Sequence, residues 1–147
     1  AHEVDDANPG WRLYTPDYFE QHRTVIATFD SGLIRPPDQS GRDFWVSYLA
    51  GNCEARLDTF YWNILNGPEM LGSRPLDSLD NSKRRVFRLY RTLFNRDPGG
   101  EVDWWANHIY TSSDREQAWV DAVAFFMSHP EHTTFRSSGS HGQPSPC

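Results

Sequence analysis

Between Val86 and Trp105 the chain reads VFRLYRTLFNRDPGGEVDWW, and three properties of that stretch limit the folds open to it. Val86, Tyr90, Leu93 and Phe94 recur at helical spacing, with Phe87 and Leu89 at the margins, so a helix over Ser82 to Phe94 has one apolar stripe to bury and turns its arginines outward. Asp97-Pro98-Gly99-Gly100 then breaks the helix. Trp104 and Trp105 follow in a second, shorter helix, with Val102, Trp105 and Ile109 inward. Adjacent helical residues point about 100° apart, so one tryptophan of the pair is expected at a surface or groove.

The same order occurs earlier in the chain. Thr15-Pro16-Asp17 supplies an N-cap, a proline at the first helical position and an acid in the first turn; Tyr18, Phe19, His22, Val25, Ile26 and Phe29 continue that helix on one face. Ser31-Gly32 ends or bends it, Pro36-Pro37-Asp38 and Ser40-Gly41 form a loop, Phe44, Trp45, Tyr48 and Leu49 give a short aromatic helix, and Leu57, Phe60, Tyr61, Ile64 and Leu65 give a longer one ending at Asn66-Gly67-Pro68. In the second half, Ser113-x-x-Glu116 reads as a capping box for the helix bearing Trp119, Ala122, Val123, Phe126 and Met127, which Pro130 ends. Offsets of about 60 residues relate Val25 to Val86, Phe29 to Tyr90, Leu33 to Phe94, Trp45 to Trp105, and Pro68-Glu69 to Pro130-Glu131. The expectation is an all-α fold: a compact bundle of about six helices built from two packed three-helix repeats, because units with one apolar side bury it against each other. Residues 1–14 read as an N-terminal arm and 15–136 as a single helical domain, with repeat one at 15–70 and repeat two at 82–136. Residues 137–147 read as a flexible tail too rich in Gly, Pro and Ser to build a core.

Leu, Ile and Val are scarce, whereas there are six tryptophans, six tyrosines and nine phenylalanines, so aromatic rings must carry much of the packing. A net charge of -6 argues against nucleic acid as a partner. Lys83, Arg84, Arg85, Arg88, Arg91 and Arg96 nonetheless cluster in a stretch without acids, either as a solvated helix face or as an anion site. No apolar run is long enough to span a membrane. Ala1 as first residue suits signal-peptide cleavage and equally a boundary chosen for expression. Cys53 and Cys147 suit one disulfide better than a metal site; paired, they would close a long loop worth about 4 to 5 kcal/mol and imply an oxidising compartment. Two free thiols or an intermolecular bond from Cys147 remain open.

Leu89-Tyr90-Arg91, Leu93, Arg96-x-Pro98, Trp104-Trp105, and Phe126-Met127 with Pro130-Glu131 resemble the pattern of the bacterial domain of unknown function 4214. Pro37-Asp38-x-x-Gly41-x-x-Phe44-Trp45 fits the same spacing in the first half. Asn95, Gly99, His129 and His132 depart from the family's glycine, aspartate, serine and phenylalanine. Two degenerate tandem copies over roughly residues 18 to 135 would account for the match. The resemblance implies a helical fold and an extracellular or cell-surface setting, and it carries no catalytic residues over.

Several constellations invite a chemical reading. Asn95, Asp97, Glu101 and Asp103 hold enough oxygens for calcium but lack the order of an EF-hand loop, so helix capping by Asp97 and Glu101 is the expectation. His129 and His132, with His108, are spaced for zinc only if the fold gathers them, and a helix-junction role is expected instead. No motif for nucleophilic catalysis is present. No metal and no cofactor is therefore assigned. The reading that best fits these residues is a secreted or cell-surface, non-enzymatic module that binds a glycan or an extracellular protein through Trp104, Arg88, Arg91, Arg96 and Asp97. The alternative is a small secreted hydrolase acting on cell-wall or other polysaccharide through a carboxylate pair.

Overall fold

The computed structural model describes residues 23–137. Among them the chain is all-helical and contains no strand: α1 Arg23–Leu33, α2 Gln39–Gly51, α3 Cys53–Asn66, α4 Pro68–Ser73, α5 Leu79–Leu93, α6 Glu101–Tyr110, α7 Arg115–Ser128 and α8 Pro130–Ser137. These eight exceed the expected six because Pro68 and Pro130, read from sequence as terminators, each open a new short helix. A proline at the first helical position gives up only an N–H that has no partner there. The expected start at Thr15, the arm over 1–14 and the tail lie outside the described residues.

Local chemistry sets most of the starts. Asp38 accepts from the Gly41 N–H at 2.8 Å, Ser78 from Asn81 at 3.1 Å and Asp114 from Gln117 at 3.1 Å. The α7 cap is therefore Asp114 and not Ser113, one residue later than the capping box implied. Asp97 caps nothing either: α6 starts from Gly100 without a side-chain cap.

A single hydrophobic cluster draws on both halves. Val25 and Phe29 of α1, Leu57, Phe60 and Tyr61 of α3, Val86, Leu89 and Leu93 of α5, and Trp119, Val123 and Phe126 of α7 all belong to it. Helix α5 sits at the centre and packs chiefly on α6 and α1. Trp119 is fully buried, and its indole N–H donates to the Leu65 carbonyl at 3.1 Å, tying α7 to α3.

Two α5 arginines expected on the outer face lie inside. Arg85 is 0 % exposed: its guanidinium donates to the carbonyls of Arg74 (2.6 Å) and Leu71 (3.3 Å), pairs with Glu116 and stands over the Trp119 ring. Arg88 is buried and donates to the Ser31 carbonyl at 3.0 Å. Both reach carbonyls at the C-terminal ends of other helices, α4 and α1, where the last turn lacks following intrahelical N–H groups. No described helix is long and apolar enough to cross a membrane.

Candidate functional site

The helices that follow the two central breaks, α2 and α6, present aromatic rings to solvent in the same way. On α6, Trp104 is 60 % exposed and stacks on His108, with centroids 5.1 Å apart and planes 6° from parallel. On α2, Phe44 is 61 % exposed and stacks on Tyr48 at 6.5 Å and 5°. Spacing of i to i+4 places each pair on one helix face. Beneath each shelf a half-buried tryptophan meets the outer ring edge-on at 4.9 Å: Trp45 under Phe44 and Trp105 under Trp104.

A turn of identical hand precedes both shelves. After α1 the chain passes through Ile34 at φ 56°, and after α5 through Asn95 at φ 57°, the left-handed region that reverses a helix end. The next residue in each case is an arginine gripping the second residue of a later short helix. Arg35 donates to both oxygens of Glu69, at 2.7 and 2.6 Å, and its guanidinium lies over Phe29. Arg96 donates to both oxygens of Glu131, at 2.5 and 3.1 Å, lies over Tyr90, and also meets Glu101.

These contacts shift the titration of the site. The Arg35 hydrogen bonds hold the Glu69 carboxyl below the usual carboxylate range. Glu101 is likewise lowered, chiefly by its own backbone N–H at the α6 N-terminus and then by Arg96. Burial, helped by the Glu101 charge, raises the Tyr90 phenol.

Beside Trp45 the structure leaves a cleft of about 410 Å³. Trp45 contributes to its wall, the Arg35–Glu69 pair, Asp38 and Ser40 supply polar groups, and Phe29, Leu33, Asn63, Ile64 and Gly67 are among the remaining lining residues. The corresponding region of the second half is occupied by rings. Phe125 and Phe126 lie 5.5 and 5.1 Å from Trp105, and Phe94 stacks on Phe126 at 4.7 Å and meets His129 at 5.2 Å.

No family model, curated protein or solved structure matches the chain.

Of the residues picked out from sequence, Arg91, Arg96 and Asp97 come together: Arg91 reaches the Asp97 carboxylate at 3.3 Å and Arg96 its carbonyl at 3.2 Å. Arg88 is interior, and Trp104 stands on α6 with His108 and Trp105 as its ring partners. The three histidines are held apart by separate partners: His108 on Trp104, His129 accepting from the Glu131 N–H, and His132 on the Leu93 carbonyl. Among the described residues no three His, Cys, Asp or Glu side chains gather around a metal-sized point. The Cys53–Cys147 pairing falls on Cys147, outside the described residues. The cleft residues Arg35, Asp38, Trp45, Asn63 and Glu69 were not singled out as a site from sequence. The available signal was the recurrence of Pro-Glu at 68 and 130, read only as part of the repeat, and of Arg at 35 and 96, which was not used.

Proposed function

We propose that the chain is a secreted or cell-surface binding module without catalytic chemistry of its own, and that its partner is a glycan rather than a protein. The observation that carries this reading is the pair of solvent-facing stacked shelves, Trp104 on His108 and Phe44 on Tyr48. A flat, rigid aromatic surface offers large contact area at low entropic cost, and the apolar face of a sugar ring fits it, while neighbouring Arg and Asp groups meet the hydroxyls. Arg91, Arg96 and Asp97, gathered ahead of α6, are the polar groups assigned to that role in the second half.

The reading includes a duplicated origin. The paired shelves, the paired left-handed turns and the paired Arg–Glu clamps support two degenerate copies of one unit, in keeping with the resemblance to domain of unknown function 4214. It also includes an oxidising setting with Cys53 joined to Cys147. Intact mass before and after reduction tests that bond, and an unchanged mass refutes it.

A polysaccharide hydrolase would need one carboxyl held protonated near neutral pH beside an ionised one. Glu69, on the rim of the cleft, is driven the opposite way by Arg35. The deciding experiment is a screen against glycans and cell-wall polymers with Trp104→Ala in parallel. A glycan held by the native chain and weakened about tenfold or more by Trp104→Ala supports the proposal. Release of new reducing ends supports the hydrolase. Binding that ignores the substitution refutes the role of Trp104.

A further inference from the structure

We propose that the cleft beneath Trp45 is a subsite for one uncharged sugar residue, so that the first half of the chain holds the end or a branch of a glycan. The inference rests on the glycan reading above but uses a different place in the fold. Three observations lead to it.

The first is shape. The cleft, about 410 Å³, is within the size range of small-ligand sites and is walled on one side by the Trp45 ring, which is braced from behind by Phe60 at 4.9 Å. Trp45 also meets Phe44 at 4.9 Å and Tyr48 at 5.7 Å, so one ring links the wall of the cleft to the shelf.

The second is the chemistry of the rim. Both Glu69 oxygens are engaged by Arg35, which cancels that pair of charges and fixes both groups in place. Asp38 uses Oδ1 to cap α2, accepting from Gly41 and Ser40, and Oδ2 makes no hydrogen bond among the described residues. Asn63 lines the cleft and spends one amide N–H on the Thr59 carbonyl. The rim thus keeps an acceptor on Asp38 and spare N–H donors on Arg35 and Asn63, with no surplus of positive charge. This mixture suits sugar hydroxyls, which both donate and accept, and the absence of surplus positive charge disfavours a phosphate or carboxylate.

The third is the contrast with the second half. At the positions about sixty residues on, Leu33 becomes Phe94, Asn63 becomes Phe125, Ile64 becomes Phe126 and Gly67 becomes His129, and those rings pack against Trp105 and one another. Closing such a space with rings is the stabilising choice, since apolar packing is the general source of core stability. Keeping it open with Asn63 and Gly67 is what a binding function requires.

The test is a titration followed by calorimetry or ligand-observed NMR, using cellohexaose, the β-1,4-linked N-acetylglucosamine hexamer and maltohexaose as probes. At least one is expected to saturate with Kd below about 10 mM. Asn63→Phe, which places the second half's ring in the cleft, is expected to weaken that binding about tenfold or more while the thermal midpoint holds. Asp38→Asn keeps the cap acceptor and is expected to weaken it by a smaller factor. Because Trp45→Ala disturbs the packing on Phe60, Asn63→Phe is the deciding variant. Loss with Asn63→Phe but not with Trp104→Ala places the ligand in the cleft and removes it from the α6 shelf. Loss with Trp104→Ala alone overturns the cleft and leaves the shelf standing. No saturation by any of the three probes overturns the subsite proposal.

Discussion

Nδ1 of His132 lies 2.7 Å from the carbonyl oxygen of Leu93. A carbonyl only accepts, so this nitrogen carries the ring proton, and the buried Nε2 is a bare acceptor without a hydrogen-bond partner among the described residues. The ring is 1 % exposed and packs edge-on to Tyr61. Burial therefore pushes its pKa below the ordinary histidine value, with the nearby Arg136 charge acting in the same direction and the Leu93 bond and Asp58 opposing.

The sign of the consequence follows from linkage. The unfolded chain takes up a proton near the ordinary histidine pKa, about 6.5, while the folded chain resists it. Stability from this group is constant above that pH and falls as pH drops through it, until the lowered folded value is reached. Urea midpoints between pH 7.5 and 5 are expected to decline, and His132→Met is expected to flatten the decline. Met70, buried at the matching place in α4, shows that methionine fits such a site. An unchanged slope in His132→Met would assign the acid sensitivity elsewhere.

Arg85 is expected to be among the most costly single positions. Truncation to Ala takes the Arg85 donors from the Arg74 and Leu71 carbonyls, removes the cation from the Trp119 face and opens a void. Unsatisfied buried acceptors and a cavity together cost about 2 to 4 kcal/mol. Arg84, two-thirds exposed and paired among the described residues with Asp80 on its own helix, is expected to lose less than about 0.5 kcal/mol on the same change. Denaturant unfolding of both variants compares them directly, and equal losses would contradict the capping role given to Arg85.

Ile34 adopts φ 56° although its branched side chain disfavours the left-handed region by about 1 to 2 kcal/mol. Its N–H closes the α1 end on the Asp30 carbonyl at 3.0 Å, so the turn itself is needed. Ile34→Asn, the residue found in the matching turn at 95, is expected to raise stability by about 0.5 kcal/mol after the loss of some apolar contact beside Phe87. A lowered urea midpoint would mean that this contact outweighs the backbone strain.

The parts of this fold legible in sequence are those fixed by neighbours along the chain. The α5 stripe of Val86, Tyr90 and Leu93 is buried as its spacing requires, and Trp104 and Trp105 diverge because adjacent helical residues must. Arg85 and Arg88 were misread as outward because their acceptors, at Leu71, Arg74 and Ser31, belong to other helices that periodicity does not see. Proline at 68 and 130 was ambiguous in principle, since the residue that ends one helix also begins the next. The cleft was hidden for a further reason: it is made by the smallness of Asn63 and Gly67 against the bulk of Phe125 and His129, a difference that acquires meaning only when both halves are seen in space.

The two Arg–Glu clamps offer a measurement of how far the halves behave alike. Arg35–Glu69 and Arg96–Glu131 share the two-bond geometry, the ring beneath the guanidinium and the position after a left-handed turn. Their side chains are between about a third and a half exposed, so solvent screening limits each pair to a coupling of about 0.5 to 1 kcal/mol. Double-mutant cycles with Arg→Gln and Glu→Gln are expected to return couplings of similar size at low salt and smaller ones at 1 M NaCl, where the screening length is about 3 Å. Arg96 also meets Glu101 and the Asp97 carbonyl, so Arg96→Gln alone is expected to cost more than Arg35→Gln, although the pair couplings match. A coupling near zero in one clamp and not in the other would show that the shared geometry does not carry shared energetics.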